Sequence, residues 1–328
     1  MDKFNQIDVT HCMDSLEGLK QMPSDFVDCC VTSPPYYGLR DYGCNGQIGL
    51  EESPTDYINR LTEVFMEVYR VLKPDGTLWL VIGDSYAGSM KGAAIDPENA
   101  KKYKQETNKG TLFKNTSYKY RYNKNEQCKN KDLIGIPWMM AFALREKGWY
   151  LRQDIIWEKL NPMPESVKDR CTKSHEYIFL MSKSPRYYFD NKAISEPSVY
   201  PSLLNKFNTT KAPRYGGRKY TMDGETFNRT KSGNAYNYTG TRNKRDVWRV
   251  SVSRERNNHF ATFPEQLITP CILAGCPKDG IVLDPFMGSG TTAMVARKYQ
   301  RHFVGFELNP DYIDIINKKT QVTPYLFV

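Results

Sequence analysis

The chain has 328 residues, 40% of them hydrophobic, enough to bury a sizeable core as one α/β domain with large insertions or as two small domains. Its formal net charge is +9, and no apolar run approaches the ~20 residues that a membrane span needs. No basic segment leads into an apolar one near the N-terminus, so we expect no signal peptide.

The cysteines and histidines argue against a disulfide framework and against a metal centre. Eight cysteines form no C-x-x-C pair, and four histidines are scattered without the spacing of metal ligands. We therefore expect reduced, buried thiols in a cytoplasmic protein, and no bound metal.

The first elements lead to a proline-rich pentapeptide. Residues 7–9 predict a strand, and a short helix opens near Asp14, whose carboxylate can cap it. The apolar run 26–31 predicts a buried strand that ends at Thr32-Ser33-Pro34-Pro35-Tyr36, because neither proline can donate a ladder hydrogen bond.

This pentapeptide suits a site that holds a planar, amine-bearing base. An X-Pro-Pro segment is stiff and extended, so the Ser33 hydroxyl and the Pro34 carbonyl can present acceptors at fixed positions, while Tyr36 presents a ring face. A proline-rich turn at a strand end explains the same residues. The aromatic, glycine-flanked loop 37–43 is expected to cover the base.

A helix and a further strand follow. Ser53 and Pro54 have the positions of an N-cap and a first-turn proline, and apolar residues then recur at helical spacing to Leu72. Residues 74–76 should stop the helix, and residues 77–82 predict a buried strand.

Two stretches carry all the excess positive charge. Residues 87–131 contain 11 basic and 4 acidic residues, residues 186–256 contain 15 and 6, and the rest of the chain is net negative. Runs of charge usually belong to solvated loops. Basic stretches interleaved with tyrosines, on an otherwise acidic chain, are more typical of a surface that binds a polyanion. We expect residues 87–131 to be a mobile functional insertion.

Between these stretches, residues 137–147 predict a helix, and strands at 150–157 and 176–182 predict a hairpin. Beyond them, residues 259–264 lead into a helix at 265–274. A last helix should run from Asn309-Pro310 to about residue 319.

A glycine-rich turn near the C-terminus has the form of a nucleotide site. The strand 281–284 runs into this turn and a helix start, where glycines let a ligand approach and the helix offers its first amides. Glu307 ends the next strand 19 residues after Gly288, about the spacing at which an acid meets a ribose hydroxyl pair. An ordinary βα connection or a NAD site is the alternative, although Ala293 replaces the third glycine.

Together, Ser33-Pro34-Pro35-Tyr36 and Asp284-Pro-Phe-Met-Gly-Ser-Gly-Thr-Thr292 resemble the DNA amino-methyltransferases. These enzymes use S-adenosylmethionine to methylate the exocyclic amine of cytosine or adenine. Having the tetrapeptide first and the cofactor loop last resembles their permuted β-type. The resemblance implies an α/β, Rossmann-like methyltransferase fold with a mostly parallel twisted sheet, helices on both faces and large basic insertions.

The resemblance also implies the roles of individual residues. Catalysis falls to Ser33, Pro34, Pro35 and Tyr36. Asp14 matches the position that approaches the cofactor adenine, Glu307 the ribose hydroxyls, and residues 259–264 the methionine end. The full set expected to bind the cofactor is Asp14, Thr32, Phe260, Thr262, Phe263, Asp284, Pro285, Phe286, Gly288, Ser289, Gly290, Thr291 and Glu307.

The predicted organisation has five parts. They are the catalytic-motif half of the core (1–86), a mobile basic insertion (87–131), the core continuation (132–185), a target-recognition region (186–256) and the cofactor-binding half (257–328). The expected partner is double-stranded DNA, with a restriction endonuclease as a functional rather than physical partner. We expect a bacterial or phage-encoded, DNA-associated cytoplasmic protein that is a monomer or homodimer.

The target atom follows from Ser33. In the family, a tetrapeptide that begins with Ser is found mostly among cytosine-N4 enzymes, so we expect cytosine N4, with adenine N6 as the alternative. Cytosine C5 methylation needs a thiolate, and Pro270-Cys271 lies inside a predicted helix, where we expect a core residue. A non-catalytic DNA-binding protein would not need the glycine-rich turn or Glu307, and a NAD-dependent dehydrogenase leaves the tetrapeptide and the basic stretches unexplained.

Overall fold

The structure is a computed structural model that describes residues 6–88, 128–129, 131–197, 220–222, 225–227, 241–252 and 263–322. The chain divides into two compact units, residues 1–190 with 246–328, and residues 191–245. Most of the predicted insertion 87–131 lies outside the described residues, so its expected mobility stays a prediction.

Within the described residues, the larger unit contains eight strands of one sheet and six helices. The strands are β1 (Val9–Cys12), β2 (Val27–Thr32), β3 (Leu72–Ile82), β4 (Tyr150–Lys159), β5 (His175–Ser182), β10 (Val247–Val250), β11 (Ile281–Asp284) and β12 (His302–Glu307). The helices are α1 (Ser15–Gln21), α2 (Pro54–Val71), α3 (Ile136–Glu146), α4 (Glu265–Gly275), α5 (Thr291–Lys298) and α6 (Pro310–Val322).

The sheet has the order β1-β12-β11-β2-β3-β5-β4-β10. Strand β5 pairs antiparallel with β3 and β4, and the other neighbouring pairs are parallel. Helix α2 packs against both α1 and α3, and α5 packs against both α4 and α6. The predicted mostly parallel α/β sheet with helices on both faces is confirmed, as is the β4–β5 hairpin.

Capping side chains begin two helices where the sequence places them. Asp14 Oδ1 accepts a hydrogen bond from Glu17 N (3.1 Å), and Ser53 Oγ accepts one from Asp56 N (3.0 Å). Each satisfies an amide that the first turn leaves without a helical partner. The capping role expected of Asp14 is therefore present.

Two strands begin two or more residues away from the predicted position. Strand β1 begins at Val9 rather than at residue 7, because Asp8 has φ = 61° and cannot continue an extended chain. Strand β3 begins at Leu72, five residues early, since Leu72 pairs with Val27 before an irregularity restores pairing at Thr77. Lys73 Nζ holds this irregular part through Asp28 Oδ1 at 2.7 Å.

The insertion leaves and returns at one place beside β3. Tyr86 and Leu133 form an antiparallel bridge, and Ala87 N donates to Asp132 O (2.8 Å). Asp84 Oδ1 accepts from Gly135 N (3.0 Å) and Ile136 N (3.1 Å) and so caps α3. The two ends of the insertion are therefore held together, and α3 begins directly after it.

The smaller unit, residues 191–245, falls inside the predicted recognition region. Its described strands form two short antiparallel pairs, β6 (Glu196–Pro197) with β9 (Thr241–Arg242) and β7 (Tyr220–Met222) with β8 (Glu225–Phe227). The Glu196 carboxylate accepts from Arg242 and Lys244, each at 3.4 Å.

Buried apolar side chains fill both sides of the sheet. Cys271 is fully buried in α4, as expected of a core residue rather than a thiolate nucleophile. The prediction that the cysteines are buried holds for Cys29, Cys30, Cys271 and Cys276, and it is wrong for Cys12 and Cys171, which are exposed. Among the described residues, no helix has the length and apolar character needed to cross a membrane.

Candidate active site

The carboxyl ends of the parallel strands meet at one edge of the sheet, where open α/β sheets bind ligands. A cavity of about 230 Å³ lies there. Because β5 runs the other way, its first residues reach this edge beside the last residues of β4. The cavity is therefore lined by segments that are far apart in sequence.

The glycine-rich turn forms one wall of the cavity. Gly288 and Gly290 adopt φ = 54° and φ = 82°, a region that glycine enters without steric cost. A Cβ on Gly288 would meet nothing closer than the Phe286 carbonyl oxygen at 3.9 Å, whereas one on Gly290 would lie 3.0 Å from Ile316 Cγ1. Gly288 thus leaves room on the cavity side, and Gly290 permits packing against α6.

Asp284 holds both ends of this turn by hydrogen bonds. Its carboxylate accepts from Thr32 Oγ1 and Thr292 Oγ1, each at 2.6 Å, and from Phe286 N at 3.0 Å. Burial raises the pKa of Asp284 to about 6, although these hydrogen bonds oppose the shift. Thr32 and Asp284 therefore tie β2 and β11 to the start of α5, and they do not line the cavity.

Glu307 closes the same wall. Its Oε2 accepts from Gly288 N at 2.7 Å and its Oε1 from Asn309 N at 2.8 Å. Burial raises the pKa of Glu307 to about 7. A buried carboxylate beside an open glycine backbone fits the ribose end of a nucleoside, because a ribose offers a pair of hydroxyl donors.

The tetrapeptide forms the opposite wall. The Tyr57 hydroxyl, from α2, donates to the Pro35 carbonyl at 2.8 Å and fixes the backbone, while within the described residues no hydrogen bond reaches the Pro34 carbonyl. The Tyr36 hydroxyl donates to Glu176 Oε2 at 2.8 Å. A Cβ on Gly83 would lie 2.6 Å from Tyr36 Cε2, so the ring rests directly on the backbone of Gly83.

A second set of residues faces this wall and was missed by the sequence analysis. Glu176 accepts a hydrogen bond from Lys159 Nζ, and that ammonium lies 4.8 Å from the ring centroid of Trp157. Trp157 and Val252 line the cavity as well. The predicted β4–β5 hairpin was the available signal, since it brings the end of one strand and the start of the next to this edge.

The loop after the tetrapeptide lines the cavity through Leu39 and Tyr42. Gln47 Oε1 accepts from Tyr42 N (2.7 Å), and Arg60 Nη1 donates to Gln47 O (3.0 Å), so the loop is tied to α2. Tyr42 lies near Glu307 and Tyr312. This part of the loop therefore lies near Glu307, and its covering of the base stays a prediction.

Most of the predicted site residues come together. Those that line the cavity are Asp14, Ser33, Pro34, Pro35, Tyr36, Phe263, Pro285, Phe286, Gly288, Ser289, Thr291 and Glu307. Thr32, Asp284 and Gly290 lie behind the lining. Phe260 and Thr262 lie outside the described residues.

Comparisons with known proteins agree with this arrangement. The DNA methylase family matches the chain over residues 27–318. The chain is 44% identical over 309 residues to the type II methyltransferase M.Cfr9I of Citrobacter freundii, covering 94% of this chain and 86% of the relative. It is 42% identical over 306 residues to the type II methyltransferase M.SmaI of Serratia marcescens, covering 93% and 88%.

Solved structures show the same fold. The PvuII DNA methyltransferase (cytosine-N4-specific) superposes with a TM-score of 0.60 at 18% identity, over 95% of this chain and 85% of that one. A putative DNA modification methylase of Thermus thermophilus, TTHA0409, solved with S-adenosyl-L-methionine, superposes with a TM-score of 0.56 at 20% identity, over 96% and 94%.

Proposed function

The chain belongs to the DNA methylase family, and from that premise we propose that it transfers a methyl group from S-adenosylmethionine to N4 of a cytosine turned out of a specific duplex sequence. The observation that carries the proposal is the position of Ser33 and the Pro34 carbonyl. Both stand at the carboxyl end of β2, in the cavity that Gly288 and Glu307 also line.

The methyl donor fits the glycine-rich wall. When bound, S-adenosylmethionine supplies an electrophilic methyl group on a sulfonium, so the protein itself needs no nucleophile. Glu307 would accept hydrogen bonds from the ribose hydroxyls, and the open backbone at Gly288 would allow close approach. Asp14 and Phe263 line the same cavity and are proposed for the adenine and methionine ends.

The tetrapeptide would hold the base. An exocyclic amine is a weak nucleophile because its lone pair is delocalised into the ring. Hydrogen bonds accepted by Ser33 Oγ and the Pro34 carbonyl would draw the nitrogen towards tetrahedral geometry and localise that lone pair. The Tyr36 ring would stack on the base and offset roughly 1–3 kcal/mol of the cost of flipping it.

Cytosine is favoured over adenine by two features of this cavity. Ser33 is a neutral acceptor, which family resemblance associates with cytosine N4. Lys159 places an ammonium on the cavity wall with Tyr36. On the Watson–Crick edge that carries the amine, cytosine offers two acceptors, N3 and O2, whereas adenine offers only N1, so this ammonium would have more to bind on cytosine. Adenine N6 is the alternative target.

The partners follow from charge and from the relatives' names. Basic residues in 87–131 and 186–256 would neutralise the phosphates of double-stranded DNA. Because M.Cfr9I and M.SmaI are named type II methyltransferases, we propose a cognate restriction endonuclease as a functional partner. A DNA-associated cytoplasmic protein, monomeric or homodimeric, is consistent with these features.

Nucleoside analysis tests the proposal. The purified chain is incubated with a mixed DNA pool and labelled S-adenosylmethionine, and the digested DNA is examined by mass spectrometry. We expect N4-methylcytosine. Detection of N6-methyladenine without N4-methylcytosine would show that adenine N6 is the target instead. The absence of any methylated nucleoside would contradict the proposal.

A further inference from the structure

We propose that Met163 is a wedge that enters the DNA base stack in the space left by the flipped base. The inference rests on the proposed function, since it assigns how a duplex is opened for that reaction. The partner is duplex DNA, and the contact is between an apolar side chain and the faces of stacked bases.

Met163 lies on the loop that follows Lys159, a residue of the cavity wall. Lys159 lines the cavity, and the chain continues at once into Leu160 and Asn161. Asn161 Oδ1 accepts from the backbone N of Val252 at 2.7 Å, and Val252 lines the cavity too. Met163 follows two residues later, so its Cα lies within about 7 Å of that anchor.

The backbone around Met163 is stiff and points the side chain into solvent. Pro162 and Pro164 flank it, which fixes two φ angles and confines Met163 to extended conformations. Met163 is 80% exposed and Leu160 is 57% exposed. Single exposed apolar residues are ordinary on protein surfaces. An exposed methionine between two prolines, four residues after the cavity-lining Lys159, is a more specific arrangement.

The far side of the loop is also anchored, and its acids are neutralised. Arg170 pairs with Glu165, and its guanidinium lies 3.9 Å from the ring centroid of Tyr86 at the root of the insertion. Lys131 pairs with Asp169 at 2.7 Å. Both carboxylates are therefore paired with cations, so this face does not repel a phosphate backbone.

An apolar wedge meets a need that the reaction creates. Flipping a base leaves a gap in the stack, and an inserted side chain such as methionine restores contacts there while separating the neighbouring bases. Methionine suits an irregular gap because it is unbranched and polarisable.

The experiment compares a matched duplex with one that is already destabilised at the target. Both carry the sequence that the protein methylates, mapped beforehand on methylated plasmid DNA, and one has a mismatch opposite the target base. Met163→Ala should lower kcat/KM about tenfold or more on the matched duplex, and less than about threefold on the mismatched one, because an unpaired base costs less to flip. Met163→Leu should retain activity on both, because it preserves the apolar volume.

A second readout needs no methyl transfer. A duplex with 2-aminopurine at the target position should brighten when the unaltered chain or the Met163→Leu variant binds, and brighten much less with Met163→Ala. The control is Val247→Ala, which shortens another exposed apolar side chain. Val247 is 50% exposed and begins β10, at the end of the β4–β10 pair opposite to Lys159.

Several outcomes would overturn the wedge. They are equal losses of activity by Met163→Ala on the matched and mismatched duplexes, full activity of Met163→Ala on the matched duplex, or the same brightening of 2-aminopurine by Met163→Ala as by the unaltered chain. In each of these the unaltered chain still methylates DNA and the proposed function stands. Absence of methylation by the unaltered chain on every DNA would instead contradict the proposed function, and this inference with it.

Discussion

The Tyr36 hydroxyl donates a hydrogen bond of 2.8 Å to the carboxylate of Glu176, a residue 140 positions away in the chain. Glu176 also binds Lys159, so one carboxylate joins the tetrapeptide to the hairpin wall that faces it. Burial raises the pKa of the Tyr36 phenol well above its ordinary value, which keeps it a hydrogen-bond donor at neutral pH. The hydrogen bond at its hydroxyl thus fixes the orientation of the Tyr36 ring, whose face is proposed to stack on the base.

We predict that Glu176→Gln loosens Tyr36 and lowers kcat/KM for DNA about tenfold, since an amide replaces the charged acceptor shared by a phenol and an ammonium. Donor affinity should not change, because Glu176 hydrogen-bonds Tyr36 and Lys159 and makes no such contact with the glycine-rich turn or Glu307 among the described residues. Calorimetric titration with S-adenosylmethionine and DNA methylation kinetics measure the two separately. The matched control is Glu158→Gln, which neutralises a half-buried carboxylate on β4 that pairs with Arg249 at 2.9 Å. Equal effects of the two substitutions would contradict this role.

We predict that Gly288→Val abolishes donor binding while the protein stays folded. The new side chain would point towards open space in the cavity, and the cost of a non-glycine residue at φ = 54° is only about 1–2 kcal/mol. Gly290→Val is the comparison, because its side chain would collide with Ile316 and should lower the melting temperature. Thermal unfolding with and without S-adenosylmethionine distinguishes the two. Normal donor binding by Gly288→Val would show that the donor lies elsewhere.

We predict that donor affinity rises with pH until about pH 7. The pKa of Glu307 is raised to about 7 by burial, so below that pH the carboxyl is largely protonated in the folded protein. If the ribose hydroxyls donate to the ionised form, affinity should fall by up to about tenfold for each pH unit below 7. Glu307→Gln should bind more weakly and without this slope. Asp284, with its pKa raised to about 6, is present in both proteins, so their difference isolates Glu307.

The same raised pKa has a consequence for the ligand-free protein. A carboxyl whose pKa is higher in the folded than in the unfolded state favours folding at low pH. That contribution is complete below the unfolded value of about 4.3 and is lost as the pH rises through about 7. Glu307→Gln should therefore reduce the fall in stability across that window. Urea unfolding at several pH values measures it, and an unchanged slope would contradict the assignment.

Local signals in the sequence were enough to predict the two motifs and the elements that carry them. The tetrapeptide ends β2 and the glycine-rich turn ends β11 because prolines and glycines act on their immediate neighbours. Glu176 and Lys159 belong to no sequence motif. They reach this edge of the sheet because β5 runs antiparallel to β4. Contact of Asp284 with the donor stays a prediction, and the hydroxyls from β2 and α5 that surround its carboxylate come together only in the tertiary structure.

We predict that sequence preference resides in residues 191–245. The chain enters and leaves this unit at two points fixed to the larger unit, where Asp190 N donates to Ala274 O at 2.9 Å and Asp246 O accepts from Ile156 N at 2.8 Å. Replacing residues 191–245 by a flexible linker should preserve donor binding, abolish site preference and make DNA binding less dependent on salt. Methylation mapping and binding at several salt concentrations test this. Retained site preference would place recognition elsewhere.

We predict that Ser33→Ala slows methyl transfer by about tenfold to a thousandfold, comparable to removing one hydrogen bond that stabilises developing charge. Donor affinity and DNA affinity should stay within about twofold, because the hydroxyl is proposed to act on the amine rather than to hold either substrate. Single-turnover kinetics with preformed complexes measure the chemical step directly. Ser289→Ala is the matched control, since this buried serine lies on the opposite wall and accepts from Lys319 Nζ at 3.2 Å. It should leave the single-turnover rate unchanged once the donor is saturating. A Ser33→Ala enzyme with an unaltered single-turnover rate would show that the Pro34 carbonyl and the orientation of the base suffice.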